Sequence, residues 1–265
     1  MNKVILLMTA SVSTRGMRGG CFSNEERESM YVATLAYYIE HILKKDQYRQ
    51  IVFAENSGWN IENLKAKLPI FDKNKIEFVS LNPDEFDISK GKGFNEMLMI
   101  NKALEISEFL KKSSYFFKVT GRYPIYNLNY FLKKADKILG YQGFDMYCDI
   151  KDHRLYDWFM PGWSGHSFEC RLFGVKKTFY QIEIAPLYSS CNDYDGSFME
   201  DVMFAFVKAC KGNIKLRFKR EAYLGGVEGS DSTALSFSKN QDSWKGNMKR
   251  MIGNFIRIFL PFFYF

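Results

Sequence analysis

The chain has 265 residues, a net charge of +7 and a 46% apolar fraction, which suffices for one large domain with a substantial core. Its five cysteines (Cys21, Cys148, Cys170, Cys191, Cys210) are scattered, odd in number and never in a CxxC pair; this argues against a disulfide framework or a zinc knuckle and fits a reducing cytoplasm. From Lys239 to the end, Lys239, Lys245, Lys249, Arg250 and Arg257 face the single Asp242, so more than half of the charge excess lies in an aromatic-rich tail, which points to a membrane surface rather than nucleic acid.

In chain order, KVILLMT (3–9) predicts a buried strand. Its apolar run is too short for the core of a signal peptide, so the protein is expected to stay on the side where it is made. The loop SVSTRGMRGG that follows carries hydroxyls, arginines and glycines but matches neither the Walker pattern nor GxGxxG, which disfavours a kinase and an NAD enzyme. Asn24 to Lys44 has a helical pattern, QIVFA (50–54) is a second strand, Asn60 to Leu68 a helix and IEFVSL (76–81) a third strand. A long helix over Phe94 to Lys112 leads to a fourth strand, YFFKVT (115–120), and then to a helix over Asn127 to Ile138 and a strand FDMYCDI (144–150). After a looser aromatic segment come a shorter strand FECRLFG (168–174), a helix over 198–210 and a last strand over 214–219. Alternation of near-continuous apolar strands with helices implies an α/β fold, a mostly parallel central sheet with helices on both faces. One domain over residues 1–235 and a tail over 236–265 are expected.

Ligands of such sheets bind at the carboxyl ends of the strands. Thr9, Ser11, Arg15 and Arg18 follow strand one; Glu55 and Asn56 close strand two; Thr120, Gly121 and Arg122, with Lys118 just before them, close strand four; Asp149 closes strand five. The set is rich in groups that bind phosphates and sugars. In SKGKGFNEMLMINKALE (89–105), Lys90, Lys92 and two glycines stand where the long helix begins, a position that attracts anions; a plain basic turn explains them equally well. Glu96 is either a dipole partner of that helix or a group that reaches a sugar hydroxyl.

The order of elements over about residues 1–230 resembles the GT-A type glycosyltransferases, in particular bacterial enzymes that build capsule and lipopolysaccharide chains. In typical members the fourth strand reads like YxxxxDxD, whose carboxylates hold a divalent metal on the nucleotide diphosphate. Here the strand reads YFFKVTGRY and ends without a carboxylate, similar to a KxTGRY-like strand of some bacterial polysaccharide glycosyltransferases. Fixed cations stabilise a leaving diphosphate as a metal does, so Arg122, assisted by Lys92 and Arg15, is expected to replace the metal. The structural alternative pairs Arg122 with a carboxylate such as Asp149. The resemblance further implies a base from GSFMEDVMFAFVKAC (196–210), where an acidic pair opens a late helix. Asp201 is placed ahead of Glu200 for that role, against a plain dipole function.

In PGWSGHSFECRLFG (161–174), Trp163 and His166 suit an acceptor-sugar platform and a hydroxyl partner, with Asp149 on the same side; YLGGVEGSDS (223–232) suits a loop over the product site. The histidines lack metal-ligand spacing. In the tail, WKGNMKRMIGNFIRIFLPFFYF, Met248, Met251, Ile252, Phe255, Ile256 and Phe259 recur at helical spacing, and Arg257 and Pro261 interrupt any spanning run. The choices are a basic amphipathic helix in the headgroup layer, with PFFYF deeper, or a helix docked on the protein's own core.

The expectation is a peripheral glycosyltransferase at the cytoplasmic face of a bacterial inner membrane. It would move a sugar from a nucleotide-sugar donor to a lipid-linked or oligosaccharide acceptor, by inversion and with no divalent metal or other cofactor. The alternatives are a sugar nucleotidyltransferase, which would want metal-binding carboxylates, and a non-catalytic membrane-associated assembly protein.

Overall fold

The structure, a computed structural model, describes residues 3–17, 20–159, 165–226 and 243–260. The first strand, β1 (Ile5–Ala10), is buried along its whole length. Its side chains alternate between two cores: Leu6, Met8 and Ala10 face one, Ile5 and Leu7 the other. A strand covered on both faces has no polar side to show, so it reads as a continuous apolar run. The same holds for β2 (Ile51–Glu55), and with β3 (Ile76–Ser80) and β4 (Tyr115–Thr120) these strands lie parallel in the order β3-β2-β1-β4.

Beyond β4 the chain adds β5 (Met146–Cys148), β6 (Ile150–Asp152), β7 (His166–Phe168), β8 (Leu172–Lys176) and β9 (Ile214–Leu216). The central sheet continues from β4 through β8 and β5 to β9. Only β8 runs against its neighbours in that sheet, while β6 and β7 pair as a separate antiparallel ladder.

Among the described residues the α-helices are α1 (Asn24–Tyr38), α2 (Ile61–Ala66), α3 (Gly91–Ile106), α4 (Glu108–Lys112), α5 (Leu128–Leu139), α6 (Arg154–Phe159), α7 (Lys177–Phe179), α8 (Met199–Ala209) and α9 (Trp244–Phe259). Tyr31, Leu35 and Tyr38 of α1 and Phe131 and Leu132 of α5 close one core. Met97, Ile100 and Leu104 of α3, with Met203 and Val207 of α8, close the other. The mixed α/β architecture with helices on both faces is therefore the expected one.

Local boundaries differ where side-chain capping or backbone strain overrides apolar periodicity. The helix expected over 94–112 begins earlier, at Gly91, and breaks at Ser107, whose hydroxyl accepts from the Leu110 N–H and donates to Glu77. The strand expected over 144–150 divides into β5 and β6, which join different ladders on either side of Asp149. The last strand stops at Leu216 because Arg217 takes a left-handed conformation, φ 70°, and Phe218 then turns into the core. Residues 177–190, for which the sequence pattern predicts no element, form α7, a wide turn over Tyr180–Ile184 and a tight one over Ala185–Ser190. Their mixed pitch spoils any single period, yet Tyr180 and Ile184 are fully buried.

The tail helix α9 docks on the body, through its polar side. Asn254 accepts from the Glu221 N–H at 2.9 Å, and Arg257 donates to Asp149 at 2.6 Å and to the Phe218 carbonyl at 3.1 Å. Trp244, Met248, Met251, Ile252, Phe255, Ile258 and Phe259 are exposed. Neither α9 nor any other helix among the described residues is long and apolar enough to cross a membrane.

Candidate active site

A cleft of about 650 Å3 opens at the carboxyl ends of β1 and β4. One wall carries Thr9 and Ser11 after β1, Thr120 and Arg122 after β4, Lys92 and Glu96 from α3, and Arg27 from α1. The rest of the lining includes Asp149, Glu169, Arg171, Glu200 and Arg257, a second wall that joins the first where the Thr120 N–H donates to the Arg171 carbonyl at 2.9 Å.

The first wall is organised by an ion pair under its floor. Lys118 is fully buried and does not line the cleft. Its ammonium donates to Glu96 Oε1 at 2.7 Å, to Thr120 Oγ1 at 2.9 Å and to the Cys170 carbonyl at 2.7 Å, which uses all three of its protons. Glu96 Oε1 also accepts from Thr9 at 2.6 Å and from Thr120 at 3.2 Å. Burial works to raise the Glu96 carboxyl, but Lys118 and the two threonines outweigh it and hold the group below its usual range. Glu96 therefore stands ionised at the cleft, with its contacts gathered on one oxygen. Lys118, expected on the donor side, thus spends its protons within the protein.

Arg122 is aimed by the turn in front of it. The Gly121 N–H donates to the Thr9 carbonyl at 2.9 Å, and a Cβ at this position would meet that oxygen at 2.9 Å and the Tyr31 ring at 3.3 Å. Only a glycine lets the chain fold so tightly over β1. The Arg122 guanidinium lies 4.8 Å from the centre of the Tyr123 ring and donates through Nη2 to the Tyr123 hydroxyl. Its Nε and Nη1 are buried and have no protein partner. The carboxylate considered for it, Asp149, is taken by Arg257. Lys92 lies close enough to feel it: burial, then Arg122, then Arg27 depress the Lys92 ammonium. Arg27 is itself buried in α1 and fixed by donating to the Val12 carbonyl at 2.8 Å. Three cations thus line the same space, and two nitrogens of Arg122 are left without a partner.

Several expected donor-side residues do other work. Arg15, at φ 52°, turns its guanidinium to the Pro83 carbonyl and does not line the cleft. Glu55 is fully buried and accepts from the backbone N–H groups of Val12 at 3.1 Å, Ser57 at 2.9 Å and Trp59 at 3.2 Å, so it ties two loops together. Ser11 lines the cleft while donating to Asn56 at 2.6 Å. The start of α3 is already occupied by an anion, Asp193, which accepts from the Lys92 N–H at 2.6 Å. A Cβ on Gly91 would lie 2.5 Å from Asp193, which explains the glycine there without a bound phosphate.

On the second wall, Glu200 lines the cleft and Asp201 does not. Consecutive helix residues point about 100° apart, so only one of an adjacent pair can face a given space, and here it is Glu200 rather than the preferred Asp201. Glu200 is exposed to solvent; the partial desolvation of its carboxyl within the cleft, joined by the charges of Glu96, Asp193 and Glu169, raises it above its usual value. Asp149 is 8% exposed, and burial pushes it up to about 6 against the pull of Arg257. Its Oδ1 has no partner.

His166 does not line the cleft; it bridges Asp152 at 3.0 Å and Asp157 at 2.8 Å, clamping α6 to the small ladder. Trp163 and Arg18 lie outside the described residues, as do the end of the loop expected over 223–232 and the closing PFFYF. Sequence reasoning missed Arg27, Glu169, Arg171 and Arg257. Glu169 and Arg171 pair at 2.7 Å across the turn between β7 and β8, where the Arg171 N–H also donates to Glu169 at 3.1 Å.

Among the described residues no group of three or more His, Cys, Asp or Glu is placed to hold a metal ion. At the end of β4 stand Thr120, Gly121 and Arg122, a set with a fixed cation and no carboxylate, which does not fit a divalent metal.

No protein-family model and no curated protein matches the chain. Among solved structures, the S. cerevisiae mannosyltransferase Ktr4p is 12% identical over 92% of this chain and 77% of its own, with a TM-score of 0.48. Core-mannan synthase A of Aspergillus fumigatus, in its Mn/GDP form, is 11% identical over 85% of this chain and 75% of its own, TM-score 0.47. A CMP:2-keto-3-deoxy-manno-octonic acid synthetase complexed with CTP is 6% identical over 94% of this chain and all of its own, TM-score 0.49. What this chain shares with each is an arrangement of strands and helices.

Proposed function

We propose that the protein is a GT-A-like glycosyltransferase that takes a sugar from a nucleotide-sugar donor without a divalent metal and passes it, with inversion, to a lipid-linked or oligosaccharide acceptor at a membrane surface. The observation that carries this reading is Arg122, with two buried, unpartnered nitrogens beside Lys92 and Arg27 at the carboxyl edge of the sheet. An arginine fork left unspent in a cleft is costly unless something with paired oxygens fills it. A diphosphate is such a group.

In the reaction, Glu200 takes the proton of an acceptor hydroxyl. The acceptor oxygen then bonds to the anomeric carbon as the bond from that carbon to the diphosphate oxygen breaks. The electron pair leaves with the nucleoside diphosphate, whose growing charge is met by Arg122, Lys92 and Arg27. The raised affinity of Glu200 for a proton suits it to this task. Glu96, kept ionised by Lys118, is left to accept from a hydroxyl of the donor.

The membrane part of the proposal rests on α9, whose apolar side chains are turned away from the body while Lys245 and Lys249 stand exposed beside them. The cytoplasmic face of a bacterial inner membrane and a place in capsule, O-antigen or lipooligosaccharide synthesis fit that arrangement.

A thermal-shift screen of nucleotide sugars in EDTA tests the reading. At least one is expected to raise Tm in the wild type and not in Arg122→Ala. A shift that needs Mn2+ or Mg2+ would favour a nucleotidyltransferase, and no shift with any donor would favour an assembly protein.

A further inference from the structure

The tail helix has its faces reversed relative to an ordinary docked helix. At about 100° per residue, Trp244, Met248, Met251, Ile252, Phe255, Ile258 and Phe259 fall within one arc of roughly 120°, and all of them are exposed. Opposite that arc lie Gly246, Arg250, Gly253, Asn254 and Arg257, the side that meets the body. Gly246 is buried there, Arg250 lies 5.7 Å from the Tyr223 ring centre, and Asn254 and Arg257 make the bonds described above.

The inner face leads into the cleft. Arg257 itself lines the cleft and holds Asp149 at 2.6 Å. Asn254 holds the backbone of Glu221, and Glu221, Ala222 and Leu224 form part of the cleft wall. That wall is tied in turn to the segment after Arg122: the Tyr126 N–H donates to the Tyr223 carbonyl at 2.9 Å and the Gly225 N–H to the Pro124 carbonyl at 2.8 Å. A continuous set of contacts therefore runs from α9 through residues 218–225 to the arginine of the donor side.

We propose that α9 couples an anionic lipid bilayer to the cleft: its outer arc takes the bilayer, and the same helix, so held, keeps Arg257 on Asp149 and orders the wall formed by residues 218–225. The bilayer is the occupant that the surface chemistry selects, because the arc is apolar throughout and Lys245 and Lys249 border it. The coupling follows from the helix's own weakness. A helix of 16 residues with two internal glycines is marginal by itself. Docking stabilises the helical form, and so does lipid. Two partners that favour the same form must favour each other. The wall should therefore be looser in solution than on a membrane. The inference builds on the membrane part of the proposed function and does not need the sugar chemistry to be right.

Hydrogen exchange of the full chain tests it, with phosphatidylcholine vesicles as control and phosphatidylcholine–phosphatidylglycerol vesicles as probe. Amides of residues 218–226 are expected to exchange about fivefold more slowly, or better, on the anionic vesicles only. The pair Met251→Glu and Phe255→Glu is expected to abolish vesicle co-sedimentation and the slowing together. Arg257→Gln is expected to keep co-sedimentation and lose the slowing. Vesicle binding with unchanged exchange, or equal slowing in Arg257→Gln, would overturn the coupling while leaving membrane binding intact. No binding to anionic vesicles, or a dimer in solution that buries the arc, would overturn both; donor binding in EDTA is read separately and decides the sugar chemistry.

Discussion

Two carboxylates of the cleft are each held against a cation, and the two pairs are built in opposite ways. In the first, Glu96 and Lys118 sit in regular elements, α3 and β4, and two threonine hydroxyls complete the pair. Glu96 is held below its usual value. In the second, Asp149 lies in the break between two short strands, its cation comes from a tail more than a hundred residues away, and one of its oxygens has no partner. Asp149 is pushed up to about 6. The contrast teaches that a buried pair is only as ionised as its full set of hydrogen bonds allows. The first pair is framework, whereas the second can change with pH and with whatever moves α9.

The largest effect should come from breaking the framework pair. Lys118→Met leaves the half-buried Glu96 without its fully buried cation and is expected to cost about 3–5 kcal/mol in urea unfolding; Arg257→Gln, whose guanidinium is nearer solvent, should cost clearly less. Equal losses would erase the distinction between the pairs. Next, Glu200→Gln is expected to lower kcat by about 10²–10³ while donor binding is retained, and Asp201→Asn should change kcat little. A reversal of these two would return the base to Asp201.

The pH dependence sharpens the comparison further, because the two carboxylates have opposite signs. Glu96 is depressed in the fold, so its contribution is present above its ordinary value of 4.5 and is lost as pH falls through its folded value. Asp149 is raised from 3.8 to about 6, so its contribution is present in acid and is lost as pH rises through 6. The stability of Asp149→Asn relative to the wild type should therefore increase between pH 4 and pH 7, by about 1–3 kcal/mol. Urea midpoints at the two pH values check this, and a flat difference would mean that Arg257 keeps Asp149 fully ionised. The smallest effect on the fold belongs to the outer arc of α9, where Met251→Glu and Phe255→Glu should stay within about 0.5 kcal/mol of the wild type even as vesicle binding disappears.

The regular half of the molecule was legible in the amino-acid sequence, and the physics says why. A strand buried on both faces, such as ILLMTA, announces itself by composition alone, and the parallel order of β1 to β4 follows from the helices between them. The break at Ser107 and the end of β9 at Arg217 were not legible, because they depend on one side chain reaching Glu77 and on one left-handed residue. At the cleft, strand-end position predicted the neighbourhood of Thr9, Thr120 and Arg122, which the structure brings together. It could not show that Glu55 and Arg15 spend their charges on loop backbones, or that Asp193 caps α3 from a hundred residues away. Arg257 was hidden for the same reason: its role depends on tertiary docking, while its position reads as an interruption in an apolar tail.

The most direct test of the account is the binding of a nucleotide-sugar donor in the presence of EDTA, by calorimetry, to the wild type and to Arg122→Ala. The account predicts binding without a divalent cation and a loss of about 10²-fold in affinity on removal of the arginine. Binding that appears only with Mn2+ or Mg2+, or that is unchanged in Arg122→Ala, would contradict it.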